Sequence, residues 1–212
     1  RATGTYDLDL IFKYFSDYVT AADMALANLE TTLAGPDRVY YDSNGNRKVG
    51  YSGYPNFNCP DAIGTALKNA GFDNILTANN HSYDTGHTGF LRTQQILREQ
   101  GLQWMGTRLD QEQERYVIAE LNGIRVGMLC YTYATPDDYP EVFSLNGILM
   151  EPGDSGLINA FDYNRLPVFY EEVRESLDAM EAQGVDATMM FIHWGEEYVL
   201  GTVDSQKTVA QG

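Results

Sequence analysis

Apolar and polar positions divide the first half of the chain into repeated units of strand, polar loop and helix. The apolar run from Asn74 to Ala78 predicts a strand, and the periodic pattern from His87 to Gln100 predicts a helix closed by Gly101. An earlier helix is predicted to begin at Pro60 and to end at Gly71. This alternation is typical of an α/β fold with parallel strands.

The segments before these units are less regular. Tyr6 to Val19 carries apolar side chains at helical spacing, and Ala22 to Leu29 predicts a short strand buried on both faces. Ala34 to Asn58 is rich in Gly, Asn, Pro and Tyr, and this composition predicts a long surface loop.

The second half begins with a strong hairpin signal. The segments YVIAEL and IRVGMLCYTY flank Asn122-Gly123, a pair that predicts an antiparallel hairpin with a two-residue turn. The sheet content is therefore mixed rather than purely parallel. Thr135 to Asp162 follows as an irregular excursion rich in Asp, Pro and Gly, and connections of this length are more often functional or mobile than inert.

A long helix and another strand follow the excursion. The helix is predicted to end near Gly184, and Ala187 to Ile192 predicts a buried strand that stops at His193. One face of the helix is marked by Phe169, Val173, Leu177 and Met180.

Length, composition and charge narrow the class of protein. A chain of 212 residues with 43% apolar content fits one globular domain. The net charge of −16 argues against a nucleic-acid partner, because no basic stripe exists to neutralise phosphates. The charge is compatible with divalent cations, or simply with a solvated acidic surface. No apolar run reaches the roughly 20 residues of a membrane span. Cys59 and Cys130 fit neither a metal-ligand nor a redox spacing.

Polar side chains of one chemical type stand at the ends of three predicted strands. They are Asn28 and Glu30, then Asn79, Asn80 and His81, and finally His193. Because the carboxyl ends of strands in an α/β sheet share one edge, we expect these groups to converge. Oxygen and imidazole donors without cysteine suit Mn, Fe, Zn or Mg. Two such ions could clamp a phosphoester, and a histidine that is not a ligand could protonate the leaving group.

Each residue also has an ordinary structural explanation. Asn79 and Asn80 could adopt left-handed backbone in a tight turn, and Asp84 or Thr85 could cap the next helix. Glu30 could simply be solvated at a strand end.

The histidines favour a site over these explanations. A single histidine is more often structural than a ligand, but two of the three stand at strand ends beside amides or carboxylates. His87 lacks that setting and is interpreted as a surface residue.

Four segments of the chain carry a family resemblance. They are AADMALANLETTLAG, ALKNAGFDNILTANNHSYDTGHTGFLRT, GIRVGMLCYTYAT and FIHWGEEY, and they span most of the chain from Tyr6 to Gln206. They resemble the bacterial capsule synthesis family (CapA-like, the poly-γ-glutamate capsule proteins) within the calcineurin-like metallophosphoesterase superfamily. The resemblance implies an α/β fold in which two mixed sheets form a layered sandwich flanked by helices, with metals at one edge.

The resemblance also implies a role for each strand-end residue. Glu30 takes the place of a carboxylate that bridges two metal ions, Asn80 that of an amide ligand and His193 that of a further metal ligand. His81 matches the histidine that assists the leaving group. Residues that would orient the ligands or the polar loops are Asn28, Asn79, Asp84 and Glu197.

Two parts of the family pattern do not occur in this chain. They are a first strand that ends in a Gly-Asp ligand and a His-rich C-terminal segment, and Gly153-Asp154 lies instead in the excursion. We therefore expect a single domain over residues 1–212 that is incomplete at both ends. The intact protein would hold two divalent ions, whereas this chain is expected to bind metal weakly or not at all.

The resemblance leads to two main hypotheses about function. The first is a metal-dependent phosphoesterase-like protein, hence a possible hydrolase, of capsule (poly-γ-glutamate) biosynthesis or export. The second is a non-catalytic accessory protein, anchored at the cell surface, that supports the polymer synthase or transport. Both imply an extracytoplasmic bacterial protein, membrane-anchored or secreted, whose partners are the anionic polymer or membrane-bound synthase subunits.

A third hypothesis keeps the family but changes the substrate. The excursion and the loop from Tyr40 to Tyr54 would then shape the pocket of a different hydrolase or sensor.

Overall fold

The computed structural model describes residues 6–42, 44–136 and 143–212. The helices are α1 (Ser16–Thr20), α2 (Ala62–Ala70), α3 (Gly86–Glu99), α4 (Leu166–Ala182) and α5 (Asp204–Gln211), with 3₁₀ turns at Asp9–Ile11 and Asp154–Leu157. The strands are β1 (Leu26–Asn28), β2 (Val39–Tyr41), β3 (Arg47–Val49), β4 (Asn74–Leu76), β5 (Gln103–Met105), β6 (Tyr116–Leu121), β7 (Ile124–Tyr133), β8 (Thr135–Pro136), β9 (Phe143–Leu145), β10 (Ile148–Leu149), β11 (Ala160–Phe161) and β12 (Ala187–His193).

One sheet is parallel, with the strand order β1-β4-β5. α2 precedes β4 and α3 links β4 to β5, because parallel neighbours need crossover connections. Both helices end at a glycine in the left-handed conformation, Gly71 (φ 95°) and Gly101 (φ 69°), which confirms the predicted helix ends. Apolar faces of the helices pack on the strands through Leu67, Ile75 and Leu97.

The second sheet is mixed and is built around β7. β7 pairs antiparallel with β6 and parallel with β11 and β12. Asn122 (φ 51°) and Gly123 (φ 84°) form the turn that joins β6 to β7, which confirms the predicted hairpin. α4 carries the chain from β11 to β12 and packs Phe169 and Met180 into a core with Tyr131 of β7.

The two sheets pack against each other through a common apolar cluster. Ala78 and Met105 belong to the parallel sheet or follow it, and Met128 and Cys130 belong to β7. This arrangement, with helices on the outer sides, confirms the expected α/β sandwich. Of the two sheets that were expected to be mixed, only the sheet around β7 combines parallel and antiparallel strands, and the other is parallel. The arrangement also places the carboxyl ends of β1, β4, β7 and β12 where the loops that follow them can meet.

Both segments that were expected to be irregular contain short strands. β2 and β3 form an antiparallel hairpin within residues 34–58, and β8, β9 and β10 form a three-stranded antiparallel sheet within the excursion. Residues 137–142 of the excursion lie outside the described residues. Strands of two or three residues are too short for an alternating apolar pattern to reveal them.

The helical spacing of Tyr6 to Val19 does not produce one helix. Phe12 and Val19 pack against the core of the parallel sheet, whereas Tyr14 and Tyr18 are 86% and 81% exposed. The segment forms only a 3₁₀ turn and α1, because an isolated stretch of this length gains its helical stability from packing rather than from spacing.

β12 has the predicted boundaries, but the predicted burial is wrong. Its first four residues are exposed, including Met189 at 52%. β12 pairs with β7 along one side, and no other described strand pairs with its outer edge. An apolar run therefore indicates a strand here without specifying how many neighbours the strand has. None of the helices in the described ranges is long and apolar enough to cross a membrane.

Candidate active site

Glu30, Asn80 and His193 meet at one edge of the sandwich, at the carboxyl ends of β1, β4 and β12. His193 Nε2 lies 2.9 Å from Asn80 Oδ1 and 3.8 Å from Glu30 Oε1. His81 Nε2 lies 4.0 Å from the same Glu30 oxygen. The residues that the strand-end pattern singled out are thus neighbours in space, while their roles as ligands and proton donor stay predictions.

The donor atoms of these three residues are of the types that bind divalent cations. Adjacent ligands of an octahedral ion with bonds of about 2.1 Å are about 3 Å apart, close to the Asn80–His193 spacing. One carboxylate oxygen, one amide oxygen and one imidazole nitrogen form a donor set that suits Mn, Fe, Zn or Mg. The Glu30 side chain is 43% exposed, so a ligand could approach from solvent.

Electrostatics favour the neutral form of His193. Burial lowers the pKa of His193, the nearby Glu30 carboxylate opposes this change, and His81 lowers the pKa further. A neutral imidazole offers a lone pair, which a metal ligand requires. In the hydrogen bond to Asn80 Oδ1, Nε2 carries the proton, so metal binding at Nε2 would move that proton to Nδ1.

His81 is held by a buried carboxylate. Its Nδ1 donates to Asp84 Oδ2 at 2.7 Å, and the backbone N–H of Phe57 donates to the same oxygen at 2.6 Å. The Phe57 ring packs edge-on against the imidazole, with 4.6 Å between centroids. With Nδ1 occupied, Nε2 faces Glu30 and is the nitrogen available for proton transfer. Thr85, rather than Asp84, is the cap residue of α3, so the capping explanation for Asp84 is wrong.

Asn79 and Asn28 connect the loops that carry His81 and Glu30. The fully buried Asn79 donates through Nδ2 to Asn28 Oδ1 at 3.0 Å and accepts the backbone N–H of His81 at 3.1 Å. Asn28 Nδ2 donates in turn to Glu30 Oε2 at 3.1 Å. Neither Asn79 nor Asn80 has a positive φ, so the left-handed-turn explanation is wrong. These hydrogen bonds link Glu30 to the backbone of His81, and the orienting role of Asn28 and Asn79 stays a prediction.

Two further residues lie at the site that sequence reasoning missed. Tyr133 ends β7, where burial raises its pKa and the charges of Glu197 and Glu30 raise it further. The strand-end pattern, applied to β7, would have found Tyr133.

Asn146, in the turn between β9 and β10, donates to Asp84 Oδ1 at 3.0 Å. Its Asn-Gly pair indicates only a turn. Glu197 itself is exposed.

A second group of candidate ligands lies at the start of α3. Ligand atoms of His87, Glu151 and Asp154 lie within 4.8 Å of one another. His87 Nδ1 is 2.9 Å from Asp154 Oδ2, and Tyr83 donates its hydroxyl to the same oxygen at 2.5 Å. The hydrogen bond to Asp154 raises the pKa of His87. The His87 side chain is 40% exposed, which agrees with its interpretation as a surface residue. Its ion pair with the buried Asp154 was not predicted.

Comparison with known proteins decides the family. The family model of the bacterial capsule synthesis protein PGA_cap matches residues 1–212. The chain belongs to this family. It is similar to the capsule biosynthesis protein CapA of Bacillus anthracis, with 24% identity over 194 residues that cover 91% of this chain and 42% of CapA.

Two relatives come from Sinorhizobium fredii (strain NBRC 101917 / NGR234). The proteins y4sH and y4uA, both described as uncharacterized, are each 32% identical over 127 residues, or 59% of this chain and 26% of their own length. This capsule synthesis chain therefore spans less than half the length of the curated relatives it matches.

Proposed function

We propose that this capsule synthesis protein acts as a metal-dependent phosphoesterase-like enzyme in the biosynthesis or export of an anionic extracellular polymer. The observation that supports this most is the convergence of Glu30 Oε1, Asn80 Oδ1 and His193 Nε2 beside the Nε2 atom of His81. Candidate metal ligands next to an imidazole nitrogen that has no hydrogen bond to any described residue are an arrangement suited to metal-assisted phosphoester cleavage.

The metal ligands would be Glu30, Asn80 and His193. When bound, a divalent ion supplies Lewis-acid stabilisation of charge on phosphoryl oxygens. Asn28 holds the second oxygen of Glu30, so the carboxylate presents Oε1 to the site.

His81 would move the proton. Its Nδ1–H is bound to Asp84 Oδ2, which fixes the ring and stabilises the positive charge that forms when Nε2 is protonated. The imidazolium at Nε2 can then protonate the leaving oxygen of a phosphoester. Phe57 covers one side of the ring and limits the approach of water.

The catalytic proposal is tested by hydrolysis of p-nitrophenyl phosphate by the intact protein in the presence of Mn²⁺, because this chain alone is expected to bind metal weakly or not at all. We expect His81→Ala to lower kcat by about 10²–10⁴-fold, the usual contribution of general acid catalysis, while leaving Mn²⁺ binding intact. Glu30→Gln should weaken Mn²⁺ binding as well. Glu171→Gln, which alters a carboxylate that is 61% exposed on α4, is the matched control. An absence of Mn²⁺-dependent hydrolysis in the wild type would refute the proposal.

Metal stoichiometry is a separate test. The three ligand atoms of this site fit one ion, and the family resemblance implies two in the intact protein. Calorimetric titration of this chain with Mn²⁺ should therefore show weak binding at one site at most. Tight binding at two sites would contradict this expectation.

The polymer and the location are part of the proposal. Poly-γ-glutamate is anionic and the chain has a net charge of −16, so direct binding would need bridging cations. We expect the protein to act outside the cytoplasm, anchored or secreted, with membrane-bound synthase subunits as partners. Cosedimentation with poly-γ-glutamate should require Mg²⁺ or Mn²⁺, and binding in the presence of a chelator would contradict this.

A non-catalytic accessory role is favoured by one observation. Tyr14 is 86% exposed and Tyr18 is 81% exposed, and both belong to an apolar surface formed by the first described residues. Exposed apolar surfaces are typical of sites that bind another protein. In a capsule-forming bacterium, a capsule that survives His81→Ala and Glu30→Gln but not deletion of the protein would support this role over catalysis.

A further inference from the structure

Asn146 belongs to the excursion, yet its side chain reaches the buried carboxylate beside His81. It lies in the two-residue turn between β9 and β10, with φ values of 50° for Asn146 and 72° for Gly147. Its Nδ2 lies 2.8 Å from the carbonyl oxygen of Pro55, 3.0 Å from Asp84 Oδ1 and 3.2 Å from His81 Nδ1.

The surrounding acceptors determine the orientation of the Asn146 amide. The amino group has two hydrogens, and Pro55 O and Asp84 Oδ1 are its two nearest acceptors. The opposite orientation would place the amide oxygen against a carbonyl and a carboxylate. His81 Nδ1 needs its own proton for Asp84 Oδ2, so its contact with Asn146 is one of packing.

The Asp84 carboxylate is thereby bound on both oxygens. Oδ2 accepts from His81 Nδ1 and from the Phe57 N–H, and Oδ1 accepts from Asn146. The carboxylate has 0% exposure although Asn146 itself is a surface residue, so Asn146 covers it on the solvent side. A fixed, dry carboxylate keeps the proton of His81 on Nδ1 and the lone pair on Nε2.

We propose that Asn146 is a positioning residue that holds Asp84 and thereby sets the tautomer of His81. The inference rests on the proposed function only in assigning proton transfer to His81. It gives the excursion a role in the site, because the turn between β9 and β10 supplies the third donor to the carboxylate.

The chain contains a matched control for this turn. Asn122-Gly123 forms the same kind of two-residue hairpin turn, with φ values of 51° and 84°. The Asn122 side chain is exposed and hydrogen-bonds to none of the described residues. Asn146→Gly and Asn122→Gly both keep a residue that tolerates positive φ, so they differ only in the loss of the contacts of Asn146.

The test measures the His81 ring by ¹⁵N NMR at a pH where the imidazole is neutral. In the wild type we expect the Nδ1–H tautomer and slow exchange of that proton with water. Asn146→Gly should speed the exchange by about tenfold or more, as loss of a hydrogen bond to a charged group does. It should also populate the other tautomer and lower kcat with little change in KM. Asn122→Gly should leave all four quantities unchanged.

Asn146→Asp supplies a second variant, which tolerates the turn but sets a carboxylate against Asp84. Asn146→Asp should perturb the His81 tautomer more than Asn146→Gly does. If the glycine variant fails to fold, Asn146→Asp alone tests whether Asn146 sets the tautomer. An unchanged tautomer and exchange rate in the folded Asn146 variants would overturn the inference, whatever the activity. The wild type could hydrolyse no phosphoester while the Asn146 variants still shift the His81 tautomer. That result would refute the proposed function but support the role of Asn146.

Discussion

Removal of the Asp84 carboxylate should destabilise the fold as well as the site. In the structure three groups donate to it: the Phe57 N–H at 2.6 Å, His81 Nδ1 at 2.7 Å and Asn146 Nδ2 at 3.0 Å. In Asp84→Ala, Asn146 lies at the surface and can turn to water, whereas the Phe57 N–H and the His81 ring lose their acceptor in a buried place.

The magnitude follows from those two groups. A buried donor left without a partner costs about 1–3 kcal/mol, and two such donors, the Phe57 N–H and His81 Nδ1–H, lose their acceptor here. We therefore expect Asp84→Ala to lower the free energy of unfolding by about 2–6 kcal/mol. Asp84→Asn retains one oxygen, which can face both the Phe57 N–H and His81, and should lose only about 1–2 kcal/mol.

Urea denaturation followed by circular dichroism measures these differences. Glu171→Ala is the control, because Glu171 and Arg174 form a surface pair that is 61% and 63% exposed and is worth at most about 1 kcal/mol. If Asp84→Ala and Asp84→Asn lose the same free energy, the shared oxygen is not what stabilises this region. A loss for Asp84→Ala as small as that of the control would refute the whole argument.

Three further predictions concern other parts of the fold. Gly106→Ala should lower the free energy of unfolding by about 2 kcal/mol or more, because φ is 101° and the added Cβ would lie 2.6 Å from the Cβ of Ala78; an unchanged urea midpoint would contradict this. The bond to Asp154 raises the pKa of His87 above its ordinary 6.5, so its stabilisation is complete below pH 6.5 and is lost as pH rises through the raised value. From pH 6 to 9 the wild type should therefore lose more stability than His87→Ala, and parallel curves would disprove the link. Burial raises the pKa of Cys130 to about 12, so a thiol reagent at pH 8 should modify Cys130 only as fast as the protein unfolds. Because Cys59 is less buried, the test follows the label on Cys130 itself, and rapid labelling of Cys130 in the folded protein would show its thiol to be accessible.

Much of the site could be predicted from sequence because strand ends are local features. Glu30, Asn80, His81 and His193 each follow or end an apolar run, and a sheet brings such ends to one edge. The same reasoning fails for Asn146. Its sequence specifies a tight turn, and its partner Asp84 lies 62 residues away, so only the tertiary position of the hairpin reveals the contact.

The limits of the fold prediction have the same origin. The glycine-terminated helices α2 and α3 and the Asn122-Gly123 turn depend on backbone conformations that single residues dictate. Burial of β12 and the shape of the Tyr6–Val19 segment depend instead on what packs against them. Periodicity reports the side chains of an element and not its neighbours, so these predictions failed.

The outer edge of β12, with which no other described strand pairs, has a consequence for how this chain behaves in solution. A row of backbone N–H and C=O groups beside exposed Met189 and Met190 is a template to which a strand from another molecule can add. Charged side chains, especially lysine, or proline usually protect such an edge from pairing, and Ala187–Ile192 contains neither. Concentrated samples of this chain should therefore form oligomers and precipitate. Met189→Lys should keep such samples monodisperse.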